Sequence, residues 1–155
     1  MNPADLPERA QYILMMFGMD ADWRDPNEER SHVSGLQHAL LCGTKALRHY
    51  PEDSEMIVAA LLHDVARPMS DIFHGEVIAY ILKDRVRPAI FEALMIHGEL
   101  QDQMLKNGGK LGPGYHRLTA EATCLAAWDY TSFDPEGDMA PITEFLPHIA
   151  KVFSD

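Results

Sequence analysis

The sequence predicts an all-α fold, and three observations carry that prediction. Apolar residues recur at spacings of three and four through most of the chain, the period of one helix face. Runs that alternate polar and β-branched residues, the mark of half-buried strands, are nearly absent. Proline, glycine and capping residues punctuate the periodic stretches.

The first stretch, DLPERAQYILMMFG (5–18), opens with Asp5 as a cap and Pro7 near the first turn, and stops at Gly18. A polar connection, MDADWRDPNEER, follows, and its Pro26 interrupts any helix. The second helix is expected over 31–49, with Leu36, Ala39, Leu40, Gly43 and Leu47 along one face and His38 beside them. The third, over 53–66, begins with acidic and capping residues and ends ahead of Pro68, because a residue before proline avoids helical angles. His63 and Asp64 then fall in its last turn. Shorter helices are expected over 74–83 and 88–97, each with a histidine at one end. The glycine-rich KNGGKLGPGY (106–115) breaks the pattern as a loop, long enough to serve as a flap over a site. A helix over 119–130 comes next, and PITEFLPHIAKVF is the last, with Pro141 at its start and Pro147 bending it. No internal repeat or low-complexity tract is present.

At 155 residues the chain reads as one domain, the helix at 5–18 packing on a core of 31–153. Cys42 and Cys124 lie far apart without a CxxC partner, so they are expected as reduced thiols in a cytoplasmic protein. No signal peptide and no membrane span is expected. Thirteen basic residues against 24 acidic ones give a formal charge of −11, which repels phosphate backbones and anionic lipid surfaces. Neither nucleic acid nor membrane is therefore an expected partner. A small molecule is, and an anionic one would need local help from a metal or an arginine. The sequence sets no oligomeric state.

Among the eight histidines, position is a better guide than number. His38, His63, His74 and His97 each sit in or at the end of a separate predicted helix, and Asp64 and Asp129 add carboxylates in apolar surroundings, ALLHDVA and LAAWDYT. Ionised carboxylates are rarely buried unless paired or bound to a cation, since desolvation costs several kcal/mol. Adjacent helical residues point about 100° apart, so His63 and Asp64 suit a site wedged between helices. The arithmetic favours two metals sharing Asp64, one held by His38, His63, Asp64 and Asp129 and the other by Asp64, His74 and His97. Four imidazoles and two carboxylates suit iron, manganese or zinc alike. His32, His49, His116 and His148 read as packed or surface residues.

The residues QH (37–38), LLHD (61–64), HGEVIAYIL (74–82), IHG (96–98) and WD (128–129) resemble the HD-domain superfamily, over roughly 31–150. The two extra histidines and the ending WD…DPEGDMAPITEFLPHI make the chain most similar to the small mixed-valent di-iron oxygenases, which include hydroxyphosphonate-cleaving dioxygenases and, more distantly, myo-inositol oxygenases. The resemblance implies a helical bundle with a dinuclear centre in its core. It also implies two iron ions as a mixed-valent pair, with Asp64 bridging and His38, His63, Asp129, His74 and His97 as the other ligands. Gln37 would face the substrate, and Arg67 would present a fixed positive charge to an anion without acting as a base. The implied reaction uses O2 to cleave a C–C or C–P bond next to a hydroxyl-bearing carbon. Gln101 and Ala126 stand where the phosphonate-cleaving relatives carry basic residues, so a phosphonate substrate is not carried over.

The alternative is a phosphohydrolase of the same superfamily, dependent on manganese, zinc or nickel and acting on a nucleotide or another phosphate ester. Glu76 is a candidate partner for a ligand imidazole. Trp128 and Tyr115 are candidates to wall the pocket, against the blander reading that both are core packing.

Overall fold

In the computed structural model of this chain, residues 1–24 and 32–154 are described. Among them are seven α-helices and two short 3-10 turns, with no strand. The helices are α1 (Glu8–Asp20), α2 (Gly35–His49), α3 (Ser54–Leu62), α4 (His74–Leu82), α5 (Pro88–Lys106), α6 (Ala120–Tyr130) and α7 (Ile142–Phe153). The protein is all-α, as predicted. The expected break at Pro26 and helix start at Ser31 lie outside the described residues.

Helix α3 is the axis of the bundle because it is apolar all round: Met56 through Leu62 are buried without interruption. It packs against α2 on one side and α7 on another, and it also touches α5 and α6. Helix α5 in turn carries α4 and α6, while α1 rests on α7 and α2. A chain end leaving the centre of such a bundle can place side chains only between other helices. The C-terminus of α3 leads to His63 and Asp64.

Three expectations are corrected. The buried face of α2 includes Ala39 and Gly43 as expected, but it runs on through Gly35, His38, Cys42 and Ala46, whereas Leu36, Leu40 and Leu47 are only half-buried. His38 thus lies on the inward face instead of beside it. Helix α3 ends at Leu62, four residues short of the expected stop. The chain then winds through tight turns in which Val65 N–H donates to Leu62 C=O, Arg67 N–H to Asp64 C=O and Met69 N–H to Ala66 C=O. Such i to i−3 bonds turn the chain about 120° per residue, which spreads His63 and Asp64 further apart than a helix would.

Helix α5 does not stop at His97 but runs nine residues further, to Lys106. Gly98 has no heavy atom within 4 Å of where a Cβ would stand, so it interrupts nothing, and Leu100 and Met104 extend the buried stripe. The stop comes at Asn107-Gly108-Gly109. Gly108 adopts φ 61° and Gly109 φ 86°, and Gly109 N–H donates to Met104 C=O at 2.7 Å. That bond spans the last turn as in a glycine-terminated Schellman end. The turn at Pro113–Tyr115 follows, and Tyr115 Oη donates to Glu99 at 2.7 Å. No described helix is long and apolar enough to cross a membrane. Cys42 and Cys124 are free thiols.

Candidate metal centre

Four helices and one turn bring the centre together. Helix α2 begins with a reciprocal cap: Ser34 Oγ accepts from Gln37 N–H at 3.2 Å, and Ser34 N–H donates to Gln37 Oε1 at 2.8 Å. This fixes the first turn of α2 and points His38 inward. His63 stands at the end of α3, followed directly by Asp64. His74 is the first residue of α4, His97 lies in mid-α5, and Asp129 is in the last turn of α6.

All six side chains are buried, and they fall into two groups that share Asp64. His38, His63, Asp64 and Asp129 each offer a donor atom within 4.8 Å of the others, as do Asp64, His74 and His97. The two oxygens of Asp64 divide between the groups. Oδ1 lies 3.0 Å from His74 Nε2 and 3.1 Å from His97 Nε2, while Oδ2 lies 3.5 Å from His38 Nε2 and 3.6 Å from His63 Nε2. Asp129 Oδ1 closes the first group at 3.2 Å from His38 Nε2 and 3.6 Å from His63 Nε2.

The imidazoles are oriented by the backbone. His63 Nδ1 meets Ala60 C=O at 2.8 Å, His74 Nδ1 meets Asp71 C=O at 2.7 Å and His97 Nδ1 meets Leu94 C=O at 2.6 Å. His38 Nδ1 meets Ser132 C=O at 2.9 Å, from the far end of α6. A carbonyl oxygen only accepts, so each Nδ1 donates a proton and each Nε2 faces inward, offering a lone pair when the ring is neutral. The expected Glu76 contact to a ligand imidazole is therefore corrected, since all four Nδ1 positions are taken by main-chain oxygens.

The inward nitrogens test whether a metal fits. His38 Nε2 and His63 Nε2 stand 3.2 Å apart, and His74 Nε2 and His97 Nε2 3.0 Å apart. Two imidazole lone pairs facing each other at that distance repel unless a cation lies between them. Without a metal that cation must be a proton. Burial works against a charged His63, but the carboxylate of Asp64 beside it overrides this and raises its pKa well above the usual range. His74 is raised likewise, its burial outweighed by the hydrogen bond its ring donates to the Asp64 carboxylate. Asp64 and Asp129 are held well below the ordinary carboxylate range, because His63 and the other imidazoles outweigh the cost of burying them. Four neutral-capable nitrogens and two ionised carboxylates directed at common points form a donor set that suits divalent metal.

The second group, together with Asp129 of the first, opens onto a cleft of about 680 Å³ bounded by α4, α5, the turn after α3 and the end of α6. Arg67 lies in it, its Nη1 3.5 Å from Asp64 Oδ2, its Nε and Nη2 on Asp71 Oδ1 at 3.0 and 2.7 Å, and its guanidinium over the Trp23 ring. Gln37 is not among the cleft residues, and its amide oxygen serves the α2 cap. Nor do Trp128 and Tyr115 line the cleft. Trp128 is buried against His49 and Tyr50, and Tyr115 holds Glu99. No residue of 107–119 lines it either, so the glycine-rich loop covers no part of it.

Two contributors went unread in the sequence. Phe133 walls the cleft and stacks on His38, ring centroids 4.6 Å apart. Gly75 lets α4 press against α5: a Cβ there would stand 2.9 Å from Leu94 O and 3.0 Å from His97 Cε1. The sequence signal for Gly75 was present in the HG dipeptide, where a ligand adjoins the smallest residue. The other histidines are occupied elsewhere: His49 on Lys45 C=O, His116 on Pro113 C=O and His148 on Ser54 Oγ, while His32 is exposed.

No curated protein matches the chain. A family comparison matches the HD domain across residues 9–134, more than three-quarters of the sequence and inclusive of all six clustered side chains. HD domain proteins are usually metal-dependent enzymes, and the two buried histidine and aspartate groups are of a kind that could hold metal. The chain belongs to the HD domain family.

Proposed function

We propose that the protein is a di-iron oxygenase of the HD domain family, using O2 to cleave a C–C or C–P bond beside a hydroxyl-bearing carbon of a small polar or anionic substrate. The observation that carries this reading is the division of Asp64 between two donor groups, one of four residues and one of three. The smaller group faces the cleft, which leaves room for a substrate beside it. An iron pair held by these six residues would supply the one-electron chemistry that O2 and an unactivated C–H bond require.

The protein's own residues supply binding and exclusion. His74 and His97 are fixed by main-chain acceptors, so their open side stays directed at the cleft. Phe133 and Met95 give its wall apolar surface, which limits water near the reacting carbon. Arg67, clamped by Asp71, holds a fixed positive charge 3.5 Å from Asp64 and can orient a substrate oxygen, but it cannot take a proton.

Arg67 also supports the second reading, a metal-dependent phosphohydrolase, since a guanidinium in a cleft suits a phosphate. The experiment that decides uses anaerobically purified protein. The oxygenase reading expects iron by elemental analysis, an electron paramagnetic resonance signal from a mixed-valent pair on partial reduction, and oxygen uptake with hydroxylated substrates. Phosphate release from nucleotides with manganese or nickel, and no oxygen uptake, would replace it.

A further inference from the structure

We propose that Phe133 closes the first metal position to small exogenous ligands, so that these bind only at the position held by Asp64, His74 and His97, a step that rests on the di-iron reading above. Of the six clustered side chains, Asp64, His74, His97 and Asp129 line the cleft, whereas His38 and His63 do not. Phe133 lines it too, and the same ring stacks on His38, with centroids 4.6 Å apart and an interplanar angle of 29°. The phenyl ring therefore stands between the cleft and a ligand of the first group.

Core packing does not account for this ring. Phe133 is half-buried, and it belongs neither to the hydrophobic core nor to the partly buried apolar side chains packed against that core. Its position is set by the turn that also aims His38. Past the end of α6, Ser132 N–H donates to Asp129 C=O at 3.3 Å, Ser132 C=O accepts from His38 Nδ1 at 2.9 Å, and Phe133 follows directly. One turn thus holds the imidazole by its edge and covers its face.

Ligand count and polarity give the consequence for access. The first group offers four protein donors and the second three, the difference that separates closed zinc sites from catalytic ones with a position left open. Asp64 and Asp129 are the lining residues that belong to the first group, and both are already donors to it. Phe133 adds an apolar wall without a donor atom, and such a shell controls the entry of solvent to a metal.

The test uses anaerobic protein loaded with ferrous iron, its iron content measured first, and nitric oxide as the probe. Wild type should bind about one nitric oxide per protein and Phe133→Ala about two, while Phe133→Leu, which keeps apolar bulk over His38, should stay at about one. Should Phe133→Ala shed the first iron, Phe133→Val takes its place. A wild type that binds two or none, a Phe133→Ala that still binds one, or a Phe133→Leu that binds two overturns the proposal alone. Loss of the first iron in both Phe133→Ala and Phe133→Val overturns it as well, since the ring would then brace a ligand instead of closing a site. A wild type that takes up no iron pair overturns the reading beneath it.

Discussion

Asp64 is the only residue common to both donor groups, so its removal should be felt at two metal positions, whereas removal of any histidine should be felt at one. The magnitude follows from the ligand count. A structural divalent site with four protein ligands is worth about 10–16 kcal/mol, hence roughly 3 kcal/mol per ligand, or on the order of a hundredfold in affinity. Asp64→Ala takes one ligand from the group of four and one from the group of three. The first position should weaken by about a hundredfold, and the second, reduced to His74 and His97, should not retain metal through dialysis. His97→Ala should empty the second position and leave the first near wild type. Metal-to-protein ratios after dialysis and competition with a chelator measure both, and circular dichroism checks the fold. Asp64→Asn, which keeps the side-chain shape, replaces the alanine variant should that one fail to fold. Full occupancy in either Asp64 variant, or a loss confined to one position, would refute the sharing of this carboxylate.

Gly75→Ala should cost about 1–3 kcal/mol by overpacking, because the new Cβ meets Leu94 O at 2.9 Å and His97 Cε1 at 3.0 Å. Thermal unfolding and loss of the second metal should report it together. Lys45→Met should weaken the first metal position by about 10–100-fold, the usual scale for a residue behind a ligand. Lys45 donates to Thr131 Oγ1 at 2.7 Å and to Ser132 Oγ at 3.1 Å, and Ser132 C=O holds His38. An unchanged metal affinity would show that this bracing is dispensable. Arg87→Ala is the contrasting case. Arg87 bonds Asp53, Glu55 and Glu121 far from the centre, so metal binding should be untouched while stability falls by no more than about 1 kcal/mol, its guanidinium being partly exposed. The pH dependence has a definite sign. Burial raises Asp53, but its bonds from Arg87 prevail and hold its pKa below the ordinary value. Its contribution is present above the unfolded pKa and is lost as pH falls through the depressed folded one. Acid titration of wild type should show this loss, and Arg87→Ala should show less of it.

How much of this was legible in the sequence depended on whether a residue's chemistry or its surroundings decided its role. The convergence of His38, His63, Asp64, His74, His97 and Asp129 could be read because few other uses explain a carboxylate inside ALLHDVA and LAAWDYT. The end of α5 could not, since His97-Gly98 and Asn107-Gly108-Gly109 both resemble stops. Only packing distinguishes them, through Leu100 and Met104 continuing the buried stripe. That error hid the wall bearing Gln101 and Asp102. Glu76 was a reasonable partner for an imidazole until the backbone carbonyls were located. On α2 the small residues of the expected stripe, Ala39 and Gly43, are buried, while Leu36, Leu40 and Leu47 are not, because Gly43 stands against Leu61 of α3 where a larger side chain has no room.

Three of the four inward rings, His63, His74 and His97, take their bearing from a main-chain oxygen three positions earlier. Substitution of a neighbouring side chain cannot delete such an acceptor, so drift in the surrounding sequence leaves those rings aimed. His38 differs, since its acceptor is supplied by a stretch 94 residues away. Fraying at the C-terminal end of α6 would therefore release one ring and Asp129 together, making that corner of the molecule the place where heat, denaturant or a careless truncation disarms the centre first.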